Sequence, residues 1–285
     1  MISKAQFQHE INLIIVNALR EDVGDGDYSS LACIPQNAKG SAALLIKDSG
    51  VLAGVEFAIQ VFHAVDSDLK LEIYKNDGDI VFDGDIVFKV SGSSQSILKA
   101  ERLVLNAMQR MSAIASKTKA FVNLLKGTKT QILDTRKTTP GIRALEKWAV
   151  HIAGGTNHRF ALYDMIMLKD NHIDYAGGIS KAIQKTNAYL KENNLDIKII
   201  VEARNIAEVK EILKEKTVYR ILLDNFNYKD TKEAVDLIGD VCFTESSGGI
   251  TLDTAKSYAN CGVDFISCGA LTHSVYNMDM SLKAI

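Results

Sequence analysis

The chain has 285 residues, of which 47% are hydrophobic and 24% charged, and its formal net charge is −2. That composition supports a sizeable core, and the near-neutral charge argues against a nucleic-acid coat protein or a polybasic membrane binder. No apolar run approaches the roughly 18 residues that a membrane-spanning helix needs, so the expected setting is the cytoplasm, with no nucleic-acid or membrane partner.

The opening stretch places Phe7, Ile11, Ile14, Ile15 and Ala18 at helical spacing, interrupted by Gln8, His9 and Glu10. It reads as an amphipathic helix and not as a signal peptide. The acidic loop Glu21–Ser30 has some look of a calcium loop but lacks the twelfth-position glutamate, so a turn or a helix-to-strand connection is expected. Residues 40–95 then show alternating apolar runs, with turns at Asn76–Asp79 and Asp83–Asp85. The near-repeat GDIVFDGDIVF predicts two antiparallel strands about a tight turn. A helix around Val55–Val65 packs on this small β-rich layer. From Ile97 to Lys126 the spacing predicts one long helix, or two with a break near Ser112. Within it, Arg102 reads as an intrahelical ion-pair partner or a snorkelling side chain. These stretches form a first domain over 1–112, and a second is expected over 113–285.

The remainder alternates regularly. Strands are expected at Gln131–Asp134, Met165–Leu168, Ile197–Val201, Arg220–Leu223, Val241–Thr244 and Asp264–Ser267. Helices are expected over Gly178–Lys191, Ile206–Lys214, Lys229–Ile238 and Leu252–Ala259, and six successive βα units imply a parallel sheet. Between the first two strands Pro140-Gly141 opens an amphipathic helix and Gly154-Gly155 closes it, which reads as a βαβ unit. Each strand ends on a polar or glycine position: Arg136, Lys169, Glu202, Asp224, Ser246 and Gly269. The last four are about 22 residues apart. A (βα) barrel with its site on the face of the strand C-termini has this register. Eight units close the usual barrel and six are present, so an open, incomplete barrel is expected.

Those strand ends carry the chemistry. Arg136, Lys137, His158, Arg159 and Lys169 crowd one rim, and their repulsion and desolvation would be relieved by an anionic ligand. Reading them as ordinary solvated charges leaves unexplained why they gather where strands end. Glu202 and Asp224 suit sugar hydroxyls or hydrated Mg²⁺. The glycine-bearing loops Ser247-Gly248-Gly249 and Cys268-Gly269-Ala270 suit phosphate, unless they merely shape tight turns. A phosphorylated sugar with a polycarboxylate fits all three features. The four cysteines, Cys33, Cys242, Cys261 and Cys268, form no CxxC pair or metal spacing and read as buried free thiols in a reducing compartment.

The run LDTRKTTPGIRALEKWAV…GGTNHRFALYDMIMLKDNHI resembles quinolinate phosphoribosyltransferase. So do ERLVLNAMQRMSAIAS (Glu101–Ser116), ESSGGI (Glu245–Ile250), GALTHS (Gly269–Ser274) and the early EDVGDGDYS. The resemblance covers nearly the whole chain. Departures are small: Ala113 where glycine is usual, Ser116 where threonine is usual, Ala153 before the glycine pair, and Trp148 in place of tyrosine. They touch packing more than charge.

The resemblance implies a type II phosphoribosyltransferase with an N-terminal α/β sandwich, an open barrel and a homodimer, a hexamer being the larger assembly left open. It implies transfer of phosphoribosyl from 5-phosphoribosyl 1-pyrophosphate to quinolinate with decarboxylation, in pyridine nucleotide biosynthesis, and Mg²⁺ accompanying the pyrophosphate. Quinolinate would be held by Thr135, Arg136, Lys137, His158 and Arg159, with Arg102 reaching in from the partner subunit. Lys169, Glu202 and Asp224 would be catalytic, and the two glycine loops would take the 5-phosphate. Two alternatives stay open: a molybdenum-operon homologue with another acceptor, and a Schiff-base lyase using Lys169.

Overall fold

The computed structural model describes residues 2–285. In chain order the first elements are α1 (Lys4–Val23), α2 (Tyr28–Cys33), β1 (Lys39–Ile46), β2 (Gly50–Val51), α3 (Val55–Val65), β3 (Lys70–Ile73), β4 (Ile80–Val81), β5 (Ile86–Ser93) and α4 (Ser94–Leu124). They are followed by β6 (Gln131–Leu133), α5 (Arg143–Ile152), β7 (Ile166–Leu168), α6 (Asp170–Ala176), α7 (Ile179–Glu192), β8 (Ile199–Ala203) and α8 (Ile206–Ile212). The chain ends with β9 (Arg220–Asp224), α9 (Tyr228–Ile238), β10 (Phe243–Ser247), α10 (Leu252–Asn260), β11 (Phe265–Ser267), α11 (Ala270–His273) and β12 (Met280–Ala284).

Two compact units result, and neither is contiguous. One comprises Ile2–Lys119, Thr138–Gly154 and Leu271–Ile285; the other comprises Ala120–Lys137 and Gly155–Ala270. In the first, an antiparallel sheet runs in the order β12-β1-β5-β3. Its buried face carries Leu44, Ile46, Val87, Phe88 and Val90, and Phe88 meets Phe62 of α3 edge-on at 5.8 Å. The expected hairpin in GDIVFDGDIVF does not form. β4 pairs with β2 in a separate two-stranded sheet, while β5 lies between β1 and β3. The Asn76–Asp79 turn also has another use: Asp77 accepts the Gly54 and Val55 amides at 2.6 and 2.9 Å, capping the start of α3.

α4 is a single helix of 31 residues with no break at Ser112. That serine is fully buried, and its hydroxyl bonds both the amide and the carbonyl of Ala53. Ser116 likewise accepts the Val51 amide at 2.8 Å.

The other unit is the parallel sheet, ordered β6-β11-β10-β9-β8-β7. Its edge strands β6 and β7 do not pair with each other, so the barrel is open, as expected. The interior strands are buried along nearly their full length, Ile199–Ala203 and Arg220–Leu223 among them, as parallel strands covered on both faces must be. The βαβ reading of 131–168 is overturned, because β6 and β7 are opposite edges and α5 belongs to the first unit. Its buried face carries Ala144, Leu145, Ala149 and Val150, and Trp148 meets Phe7 of α1 edge-on at 5.4 Å. Cys33 is exposed, against the expectation of burial; Cys261 and Cys268 are buried, and all four thiols are free.

A buried ion pair secures α5. Glu146 is fully buried and accepts Arg110 Nε and Nη2 of α4 at 3.0 and 2.9 Å, and the amide and hydroxyl of Thr139 at 3.1 and 2.8 Å. Removing one partner of such a pair strands the other. Glu146→Ala is therefore expected to cost about 3 kcal/mol of stability, read as a lower urea midpoint at unchanged m-value.

Candidate active site

The C-terminal ends of the parallel strands and the turns after them carry the candidate site residues. Asp134, directly after β6, is fully buried and accepts the His158 amide at 2.7 Å. Thr135 Oγ1 accepts the Lys137 amide at 3.0 Å, folding the turn that presents Arg136 and Lys137 to solvent. Arg159 is buried at 7% exposure, and its Nη1 donates to the Met165 carbonyl at 3.0 Å. Burial, and next the nearby Arg136 charge, lower the pKa of the Arg159 guanidinium. Like charges are thus held together here.

Lys169 directly follows β7 and stands at the N-cap of α6, its amide donating to His172 Nδ1 at 3.1 Å. Its half-exposed ammonium lies 3.7 Å from Glu202 Oε2. Glu202 sits one residue before the end of β8 and is buried; Asp224 ends the neighbouring β9. Burial raises the Glu202 carboxyl above its ordinary range; Lys169 pulls it back, and the Asp224 and Asp170 charges add to the rise. This acid is short of positive charge. Among the described residues no three His, Cys, Asp or Glu side chains gather as a metal cage. Two carboxylates alone suit Mg²⁺ that keeps waters and brings substrate phosphate as further ligands.

Ser247-Gly248-Gly249 follows β10, and Cys268-Gly269-Ala270 follows the adjacent β11. Gly248 and Gly249 have φ of 104° and 58°. A Cβ on Gly248 would come within 2.1 Å of Asn225 Oδ1, so a side chain there is excluded twice over. Asn225, itself at φ 56°, donates Nδ2 to Asp224 Oδ2 at 2.7 Å and its amide to the Ser247 carbonyl at 2.9 Å. It fixes one candidate catalytic acid against one glycine loop. Cys268 turns its thiol to the Ile250 carbonyl at 3.3 Å.

One unit therefore brings together Thr135, Arg136, Lys137, His158, Arg159, Lys169, Glu202, Asp224 and both glycine loops. Arg102 lies on α4 in the other unit, exposed and without an ion pair or hydrogen bond among the described residues. The intrahelical pairing expected from sequence is absent. His158 is buried beneath the rim, 3.4 Å from Glu245. Asp134, Arg220, Asn225 and Glu245 are supporting residues that sequence reasoning did not single out. A charge at the start of RILLD and another within the buried strand FTESS were the available signal for two of them.

Fold and site together define an open α/β-barrel protein whose strand ends gather cations, two carboxylates and two glycine loops, a set suited to anionic ligands. Family models match in two parts: the quinolinate phosphoribosyl transferase N-terminal domain over residues 27–112 and its C-terminal domain over 114–283. The decarboxylating quinolinate phosphoribosyltransferase 1b of Nicotiana tabacum is 46% identical over 96% of this chain and 82% of its own length. A probable carboxylating nicotinate-nucleotide pyrophosphorylase of Bacillus subtilis is 37% identical over 92% of this chain and 89% of its own. The crystal structure of NadC from Streptococcus pyogenes superposes with a TM-score of 0.89 at 36% identity, covering 100% of this chain and 99% of that one. The chain belongs to the quinolinate phosphoribosyltransferase family.

Folded Glu202 binds its proton more tightly than the unfolded chain does. Its contribution therefore favours the fold at low pH and is lost as pH rises through the raised value. Glu202→Gln is expected to raise stability at pH 7, with the advantage vanishing below the ordinary value near 4.5. Urea unfolding across a pH series measures this.

Proposed function

We propose that the chain transfers phosphoribosyl from 5-phosphoribosyl 1-pyrophosphate to quinolinate with loss of CO₂, giving nicotinate mononucleotide and pyrophosphate. The observation that carries this reading is the cation cluster at the ends of β6 and β7, set beside an acidic pair and two phosphate-type loops. Arg136, Lys137 and Arg159 hold quinolinate's two carboxylates, with Thr135 shaping their turn and His158 supporting them from below. Each charge-assisted contact is worth about 1.5–3 kcal/mol. Ser247–Gly249 and Cys268–Ala270 take the 5-phosphate on backbone amides.

The ring nitrogen attacks the anomeric carbon as the bond to pyrophosphate breaks. Glu202 and Asp224 hold the ribose hydroxyls and stabilise positive charge on the sugar. The same two acids would hold Mg²⁺ brought with the pyrophosphate, which would supply charge neutralisation. Lys169 faces the junction between acceptor and leaving group. Once bonded to the sugar, the ring nitrogen is cationic and stabilises the electron pair that the broken bond to the 2-carboxylate leaves on the ring carbon. CO₂ leaves and a proton takes its place.

Arg102 completes the acceptor site from the partner subunit of a homodimer; its exposure without any partner of its own supports this assignment. The four free thiols fit a reducing compartment such as the cytoplasm, although one Nicotiana tabacum relative is named as mitochondrial. A Schiff-base role for Lys169 fits less well, since a half-exposed ammonium beside a carboxylate lacks the desolvated setting such a lysine needs.

Nicotinate lacks the 2-carboxylate and would leave part of the cation cluster without the carboxylate it is set to meet. Quinolinate is expected to exceed it in kcat/KM by at least about a hundredfold; comparable values would exclude this acceptor. Arg102→Ala is expected to lower activity by about tenfold to a hundredfold. Mixed dimers of Arg102→Ala with Lys169→Ala should regain activity, because one of their two sites then carries neither defect. Failure to regain it, in dimers shown to mix, returns Arg102 to its own subunit.

A further inference from the structure

The mechanism leaves one buried charge pair unused. Arg220 opens β9 at 5% exposure, and its Nη1 lies 2.6 Å from Oε2 of Glu245, a fully buried residue of β10. The same carboxylate oxygen is 3.4 Å from His158 Nε2. His158 Nδ1 accepts the Arg159 amide at 2.7 Å, which leaves Nε2 as the ring nitrogen that carries a proton and faces Glu245. The His158 amide is in turn held by Asp134. Two buried carboxylates, from the ends of β6 and from β10, therefore pin the segment that carries Arg159.

We propose that Arg220 and Glu245 are positioning residues for the acceptor half of the site. Arg220 fixes the Glu245 carboxylate beneath His158, and His158 transmits that position to Arg159. The proposal rests on the phosphoribosyl-transfer reading and adds to it how the cations are held. Burying such a pair is a poor source of net stability, since apolar side chains of like volume often do as well. What apolar residues could not supply is a fixed acceptor for the His158 Nε2 proton. Arg220 is itself accommodated in an aromatic setting, its guanidinium 4.1 Å from the centre of the Phe265 ring and 5.5 Å from that of Tyr219. Burial by itself would raise the Glu245 carboxyl; the neighbouring His158 and Arg220 outweigh it and hold the pKa at about 2. No other charged group acts strongly on Glu245, which stays ionised at any working pH.

The test is Arg220→Met, with quinolinate KM followed against pH. With the guanidinium gone, burial lifts the Glu245 carboxyl toward the working range, and the protonated form no longer accepts from His158. KM for quinolinate is expected to rise about tenfold as pH falls, along an acid limb that the wild-type protein lacks. The KM for the phosphosugar and kcat should move much less. Arg220→Lys should restore most of the wild-type profile. Adding Glu245→Gln to Arg220→Met should abolish the limb while leaving KM high at every pH, which separates Glu245 from His158 as the titrating group. If Arg220→Met does not fold, Glu245→Gln alone decides: a raised, pH-independent KM for quinolinate supports the proposal. An unchanged quinolinate KM in whichever variant folds overturns it, as does equal loss for both substrates. A wild-type protein that does not use quinolinate overturns the functional reading instead.

Discussion

The rest of the structure depends on holding like charges close together at one end of an open barrel. Arg136 and Arg159 are near enough that one lowers the pKa of the other, and Arg159 is buried. Such a cluster disperses unless its backbone is fixed and counter-charge lies within reach. The fold supplies the first through Asp134 and Glu245, which accept from the His158 amide and face its ring. It leaves part of the second to the substrate. On the proposed reading a dicarboxylate completes this arrangement, and the cations that meet both its carboxylates set the selectivity.

The same logic explains why the site is costly. Glu202 is buried beside Asp224 with too little positive charge, and Gly248 has no room for a side chain beside Asn225. These positions are set by the reaction, and the fold absorbs the cost through apolar strands such as Ile199–Val201 and Ile221–Leu223, all buried. Function sits where strands end because there the backbone leaves the sheet while its Cα positions remain fixed by it.

Much of this was legible in the sequence. The helices α7 to α10 fall within one or two residues of their expected bounds, because their apolar spacing is helical and their flanking residues are good caps. Asn205 and Asn227, for example, accept the amides of Glu208 and Asp230. The residues at strand ends stood out as polar stops after apolar runs. What periodicity could not show was which elements pair across long separations. β12 joins β1 from the far end of the chain, and α5 leaves the barrel to pack on α1 and to pair Glu146 with Arg110. β4 turns from β5 to β2 because adjacent, similar strands need not be partners. Arg220 and Glu245 escaped because one opens its strand, at the end away from the rim, and the other precedes the polar stop at Ser246, so neither reads as a rim residue.

The central claim is that the cation cluster binds a dicarboxylate and that one carboxylate leaves once the ring nitrogen is bonded to the sugar. The most direct measurement is a turnover of quinolinate labelled in its 2-carboxylate, with 5-phosphoribosyl 1-pyrophosphate and Mg²⁺, counting labelled CO₂ against nicotinate mononucleotide. The two should appear in equal amounts, and each should require the phosphosugar. A mononucleotide that retains the label, or label released without phosphosugar, would contradict the account.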